Sequence, residues 1–154
     1  NFVEMINQTT GEFAEKFEKR NLQIVLNVPE KPVMVRTDGR RMWRVIENIY
    51  NNAAKYALEG TRVYADLIEK EHTVEFSLKN ISEQPLNISA DELTERFIRG
   101  DVSRSTEGSG LGLSIAKNLT ELQGGKFELY LDGDLFKVTI VFPKAVVGQS
   151  VTKP

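Results

Sequence analysis

Residues 38–60 read DGRRMWRVIENIYNNAAKYALEG, and the fold turns on how this stretch is read. Met42, Val45, Ile46, Ile49, Tyr50, Ala53 and Ala57 recur at spacings of three and four, the period of one buried helix face. Asp38 suits an N-cap and Gly60 a helix stop, so the spacing predicts a long helix from Asp38 to about Ala57, terminated by Gly60. Its polar side is unusual. Asn48, Asn51 and Asn52 fall in the helix interior, although asparagine competes with its own backbone for hydrogen bonds and is a mediocre helix former. At about 100° per residue, Asn48, Asn52 and Lys55 lie within roughly 60° of one another, on a stripe beside the apolar face. Two carboxamide oxygens one turn apart, with a cation a turn further on, can hold a hard divalent ion and a polyphosphate without adding negative charge to an anionic ligand. A solvated helix face accounts for the same stripe, so the stripe alone leaves both readings open.

Upstream, Val3, Ile6, Thr10, Phe13 and Phe17 have helical spacing, which predicts an amphipathic helix over residues 2–18. Its pattern is already running at residue 1 and there is no initiator Met, so the chain is expected to be a fragment of a longer protein. Leu22, Ile24, Leu26 and Val28 alternate as in a half-buried strand, and Val33 to Val35 suggest a second short one after the turn from Pro29 to Pro32. Downstream, Val63, Ala65 and Leu67 pair in pattern with Val74, Phe76 and Leu78, a hairpin turning through Glu69 to His72. Ser89-Ala90-Asp91-Glu92 has the form of a capping box for a short helix towards Phe97. Arg99 to Gly110 reads as a mobile loop. Leu111, Ile115, Leu119 and Leu122 then mark a helix that stops at Gly124-Gly125. A last hairpin spans residues 126–142 around Asp132-Gly133, with Phe136, Val138, Ile140 and Phe142 on one face of its second strand.

Helices set among hairpins, without regular strand–helix alternation, predict an α+β domain. The expected architecture is a two-layer α/β sandwich, a mixed and mostly antiparallel sheet with about three helices on one face. With 154 residues the chain suits a single domain, core about 2–143 and tail 144–154. It is 40% hydrophobic and 27% charged, with a formal net charge of −2. These values fit an ordinary soluble domain, with neither a membrane span nor the basic tract that follows a nucleic-acid backbone. Zero cysteines exclude a disulfide framework, a thiolate metal site and a cysteine nucleophile. His72, the single histidine, falls at a predicted hairpin tip and reads as an exposed turn residue.

A second segment with chemical meaning is Gly108-Ser109-Gly110-Leu111-Gly112-Leu113-Ser114, between the loop and a helix. Glycines there let backbone approach phosphate oxygens, and a helix N-terminus offers free N–H groups and a favourable dipole. The spacing is neither the dinucleotide fingerprint nor a P-loop. A flexible connector without a ligand is the alternative.

Taken together, these segments resemble the superfamily that joins DNA gyrase, the heat-shock chaperone ATPases, sensor histidine kinases and mismatch-repair ATPases, known as the GHKL or Bergerat fold. Asn48 to Tyr56 is similar to the histidine-kinase N box, Glu95 to Arg104 to the F box and the start of the ATP lid, and Gly108 to Leu113 to the second glycine box. The likeness runs from about Asn21 to Pro143. It implies Mg²⁺ on Asn52 with help from Asn48, and ATP held by Asn48, Asn52, Lys55, Tyr56, Arg99, Arg104, Gly108, Ser109, Gly110, Leu111, Gly112 and Leu113. Asn52, Lys55 and Arg99 would be the catalytic set. The first glycine box, normally Asp-x-Gly-x-Gly, is replaced by Asn80-Ile81-Ser82-Glu83-Gln84-Pro85. Asn80 is the substitute for its aspartate, able to accept from the adenine amino group without a charge.

The resemblance implies a protein-histidine kinase domain of a two-component system. Its partners would be its own dimerisation and phosphoacceptor domain, absent here, and a response regulator. The helix over residues 2–18 would continue from those upstream dimerisation helices. The domain would be cytoplasmic, the parent protein in the bacterial cell membrane. Lacking the phosphoacceptor histidine, the chain is expected to bind ATP without labelling itself. Where ATP-hydrolysing relatives carry a glutamate that activates water, this chain has Asn48, and an amide cannot be a general base; Glu47, about 100° round the helix, reads as surface. A serine kinase or ATPase of the same superfamily and a degenerate, nucleotide-free docking module are the competing readings.

Overall fold

The structure is a computed structural model that describes residues 1–83 and 109–145. Among these, three helices, α1 (Phe2–Lys19), α2 (Gly39–Tyr56) and α3 (Ser109–Leu122), accompany five strands, β1 (Gln23–Asn27), β2 (Arg62–Glu69), β3 (Thr73–Ile81), β4 (Lys126–Asp132) and β5 (Leu135–Pro143). The strands form one sheet in the order β1-β2-β3-β5-β4. Only β1 runs parallel to its neighbour, with Ile24 beside Val63 and Leu26 beside Ala65. The remaining pairs are antiparallel, and their register aligns Leu67 with Phe76, Phe76 with Ile140 and Val138 with Leu129. The predicted α+β sandwich is the one observed. The predicted helix towards Phe97, the loop over 99–108 and the tail from residue 146 lie outside the described residues.

Alternation does what the sequence requires of it. Val63, Ala65, Leu67, Val74, Phe76, Leu78, Phe136, Val138, Ile140 and Phe142 are all buried on the face the helices cover. Against them packs the whole predicted apolar face of α2, from Met42 to Ala57. A column of rings ties the layers together. Tyr50 stacks almost parallel on Phe17 of α1 at 6.1 Å and on Phe76 of β3 at 6.2 Å, with an interplanar angle of 4° in both pairs. The Tyr50 hydroxyl shares a 2.7 Å hydrogen bond with Thr10 Oγ1.

Several boundaries differ from expectation. Asn1 caps α1 through its side chain, and Phe2 N donates to Val33 O at 2.8 Å, which ties the first turn to the chain ahead of α2. Val33 to Val35 form no strand; Val35 makes a single bridge to Lys144, since Val33 is drawn into the core beside Phe2. Gly60 does not stop α2. The helix ends at Tyr56 because Ala57 turns extended to bridge Ser82, and Gly60 instead takes a positive φ of 82° on the way into β2. Among the described side chains of α3, Leu113, Ala116 and Thr120 are buried, whereas Leu122, expected in the apolar stripe, is 70% exposed. Gly125 is needed by packing, because a Cβ there would fall 2.6 Å from the Phe142 ring.

Candidate functional site

The first half of α2 is set by its cap: Asp38 Oδ1 accepts from Arg40 N at 3.0 Å and Arg41 N at 3.2 Å. Asp38 N in turn donates to Gln123 Oε1 at 3.0 Å, joining the start of α2 to the end of α3. At the other end of the contact, a Cβ added to Gly112 would lie 3.7 Å from Asn48 Oδ1. The two helices therefore run antiparallel, and the N-terminus of α3 is delivered to the stretch of α2 that carries the asparagines. Gln123 was not legible as part of this arrangement, its one signal being its place just before Gly124-Gly125.

The asparagine stripe is not a solvated face. Asn52 is 6% exposed, Asn48 is half-buried and Lys55 exposed. Among the described residues three buried side-chain polar atoms have no hydrogen-bond partner, Asn48 Nδ2, Asn52 Oδ1 and Thr120 Oγ1, and two of the three lie on this stripe. An orphaned buried polar group costs about 1–3 kcal/mol, so such a pair needs a compensating function. Asn52 Oδ1 is a hard, uncharged ligand atom without a protein partner, which suits a magnesium ion; on Asn48 the unpartnered atom is the N–H donor Nδ2, which suits an anionic oxygen, while its Oδ1 lies next to Gly112.

The glycine segment lies further into the helix than the sequence suggested. The predicted loop ran to Gly110, but α3 already begins at Ser109. By helical geometry the N–H groups of Ser109, Gly110 and Leu111 have no partner inside the helix and are the donors available to an anion, while those of Gly112 and Leu113 are committed one turn back. At Gly112 the missing side chain leaves open the space beside Asn48, and the Leu113 side chain is core, 1% exposed. Arg99, Arg104 and Gly108, also singled out from the sequence, lie outside the described residues.

The opposite wall is the exit of β3. Asn80 is buried on the helix-facing side, and the chain beyond it is sewn to the end of α2. Leu58 N donates to Ile81 O at 2.7 Å and Glu83 N to Tyr56 O at 2.8 Å. Asn80 and the half-buried Tyr56 are thereby brought to the same end of α2 as Lys55. Glu47, expected at the surface, is half-buried. His72 projects from the β2–β3 turn, its side chain 85% exposed. No helix among the described residues is long and apolar enough to cross a membrane.

Comparison with known proteins is consistent across sequence and structure. Residues 37–146 match the family described as histidine kinase-, DNA gyrase B-, and HSP90-like ATPase. Sensor protein KdpD of Clostridium acetobutylicum is 33% identical over 148 residues, which cover 90% of this chain and 16% of that protein. Sensor protein VanSC of Enterococcus gallinarum is 30% identical over 142 residues, 91% of this chain and 39% of its own length. The chain thus spans well under half of these relatives. Among solved structures, the catalytic domain of histidine kinase ThkA superposes with a TM-score of 0.81 at 26% identity, covering 94% of this chain and 93% of that one.

Proposed function

This chain belongs to the family of histidine kinase-, DNA gyrase B-, and HSP90-like ATPases and is an ATP-binding domain of the histidine kinase type; we propose that, within a longer sensor protein, it passes the γ-phosphate of ATP to a histidine on a separate phosphoacceptor domain. The observation that carries the reading is the meeting of Asn48 with Gly112 at the start of α3, one helical turn from Asn52, both asparagines having an unpartnered buried amide atom.

Asn52, with help from Asn48, would hold Mg²⁺, which would supply positive charge to offset that of the phosphates. The rest of the work falls to the chain. Free amides at Ser109, Gly110 and Leu111, with the positive end of the α3 dipole, bind the phosphates. Lys55 adds a cation one turn beyond Asn52, and Arg99 and Arg104 would add theirs from the lid. Asn80 orients the base by accepting from its amino group, and Tyr56 packs beside it. Transfer itself forms a bond from the histidine nitrogen to the γ-phosphorus and breaks the bond to the β–γ bridging oxygen, with ADP leaving. The carboxamide of Asn48 cannot take a proton from water, which favours transfer to a protein nucleophile over hydrolysis.

The nucleophile lies on another domain, a response regulator receives the phosphoryl group next, and this domain works on the cytoplasmic side of a membrane-held parent. The sensor proteins among the relatives support that setting. The direct test is thermal or chemical unfolding with Mg-ADP. At about a hundredfold over Kd, the ligand adds about 2.7 kcal/mol of stability. Unchanged stability at millimolar Mg-ADP would sink the nucleotide site and leave a docking module.

A further inference from the structure

Helix α2 ends without a glycine, yet its last four carbonyls are all satisfied. Ala53 O accepts from Ala57 N at 3.0 Å and Tyr56 O from Glu83 N at 2.8 Å. The two between them, Ala54 O and Lys55 O, both accept from Nη1 of Arg20 at 2.9 Å. Arg20 reaches them from the end of α1, where Asn21 adopts a left-handed φ of 54° and turns the chain away. The same guanidinium sets Nη2 3.6 Å from Glu83 Oε2, and the backbone carbonyl of Arg20 accepts from Gly60 N at 3.3 Å. One residue thus joins the end of α2, the exit of β3 and the turn into β2.

Two of these three segments, the end of α2 and the exit of β3, are walls of the nucleotide site just described. Lys55 and Tyr56 sit on the carbonyl-bearing turn that Arg20 holds, and Asn80 lies three residues before Glu83. We propose that Arg20 is a positioning residue for nucleotide binding: it fixes the spacing between the α2 end and the β3 exit, and hence between the groups that face phosphate and the group that faces the base. The proposal rests on the reading of the site above. A guanidinium fits the task because it is planar, carries five N–H donors and places positive charge at the negative end of the α2 dipole. A lysine keeps the charge but offers a compact ammonium without the fork, so it meets only part of the geometry.

A purely structural arginine would lower the melting temperature and leave the affinity of the folded protein unchanged. The test is therefore calorimetric titration of Mg-ADP into the wild type, Arg20→Met, Arg20→Lys and Glu83→Gln, each at a temperature where circular dichroism shows it folded. Expected are a loss of affinity of about fivefold or more for Arg20→Met, partial recovery in Arg20→Lys, and a smaller loss for Glu83→Gln. Wild-type affinity in Arg20→Met and Glu83→Gln overturns the proposal. Should Arg20→Met fail to fold, Arg20→Lys and Glu83→Gln decide on the same criterion. A wild type that does not bind Mg-ADP overturns the nucleotide site itself, and this proposal with it, before any variant is compared.

Discussion

The carboxamide of Asn48 on α2 lies against the bare backbone of Gly112 on α3, where a Cβ would sit 3.7 Å from Asn48 Oδ1 and 3.9 Å from its Cβ and Cγ. These are ordinary van der Waals distances. The glycine is not required by packing of the empty protein, which separates the demands of fold and ligand at this position.

Gly112→Ala should accordingly leave the nucleotide-free protein at least as stable, with a gain of up to about 0.5–1 kcal/mol from reduced backbone entropy. Affinity for Mg-ADP should fall about tenfold, because the added methyl group occupies space beside Asn48 that the ligand needs. Urea unfolding and calorimetric titration of the same preparation check the two halves. Unaltered affinity would mean that phosphate does not approach α3 at this turn.

Asn52 carries the opposite conflict. Its Oδ1 is buried and unpartnered, so Asn52→Leu, close to it in shape, should stabilise the nucleotide-free protein by about 1–2 kcal/mol. The same change should weaken Mg-nucleotide binding by more than about tenfold, about 1.4 kcal/mol. Melting temperatures with and without Mg-ADP give both quantities. A variant that melts higher and still shifts with ligand would remove Asn52 from the site.

Tyr50 predicts a pH dependence. Burial pushes its hydroxyl pKa up to about 12 from 10.0, an effect partly offset by the hydrogen bond with Thr10. The native state therefore keeps the proton to higher pH than the unfolded chain does. This contribution is fully present below pH 10 and is lost as pH rises from about 10 to about 12, to a total of about 2–3 kcal/mol. Tyr50→Phe abolishes that slope, while costing about 1 kcal/mol at neutral pH for the lost hydrogen bond. Urea unfolding of both proteins across this range checks it. Parallel stability curves would show that Tyr50 ionises freely.

Much of this was legible before the structure. The α2 face and the strands β2, β3 and β5 were legible because strict periods of burial leave few alternatives. The asparagine stripe was visible because poor helix formers in the middle of a strong helix are out of place. The buried face of α3 was not: Leu111, Leu113, Ile115, Ala116 and Leu119 surround the helix with apolar residues, so period alone does not choose Leu113 and Ala116. Nor was the end of α2, whose carbonyls are met by Arg20 and Glu83 from distant parts of the chain. Such capping has no local signature. Gly60, the nearest local signal, pointed to the wrong mechanism.

The rings of Phe17, Tyr50 and Phe76 also decide where this protein can be cut. The family match begins at residue 37, but Phe17 belongs to α1, and the stack on Tyr50 is completed from that side. A truncated gene product begun at Thr37 would keep the asparagines and the glycines while baring one flank of Tyr50 to water and leaving β2 as an open edge. Expression boundaries drawn from the matched segment alone would therefore yield an aggregating polypeptide in place of a working domain.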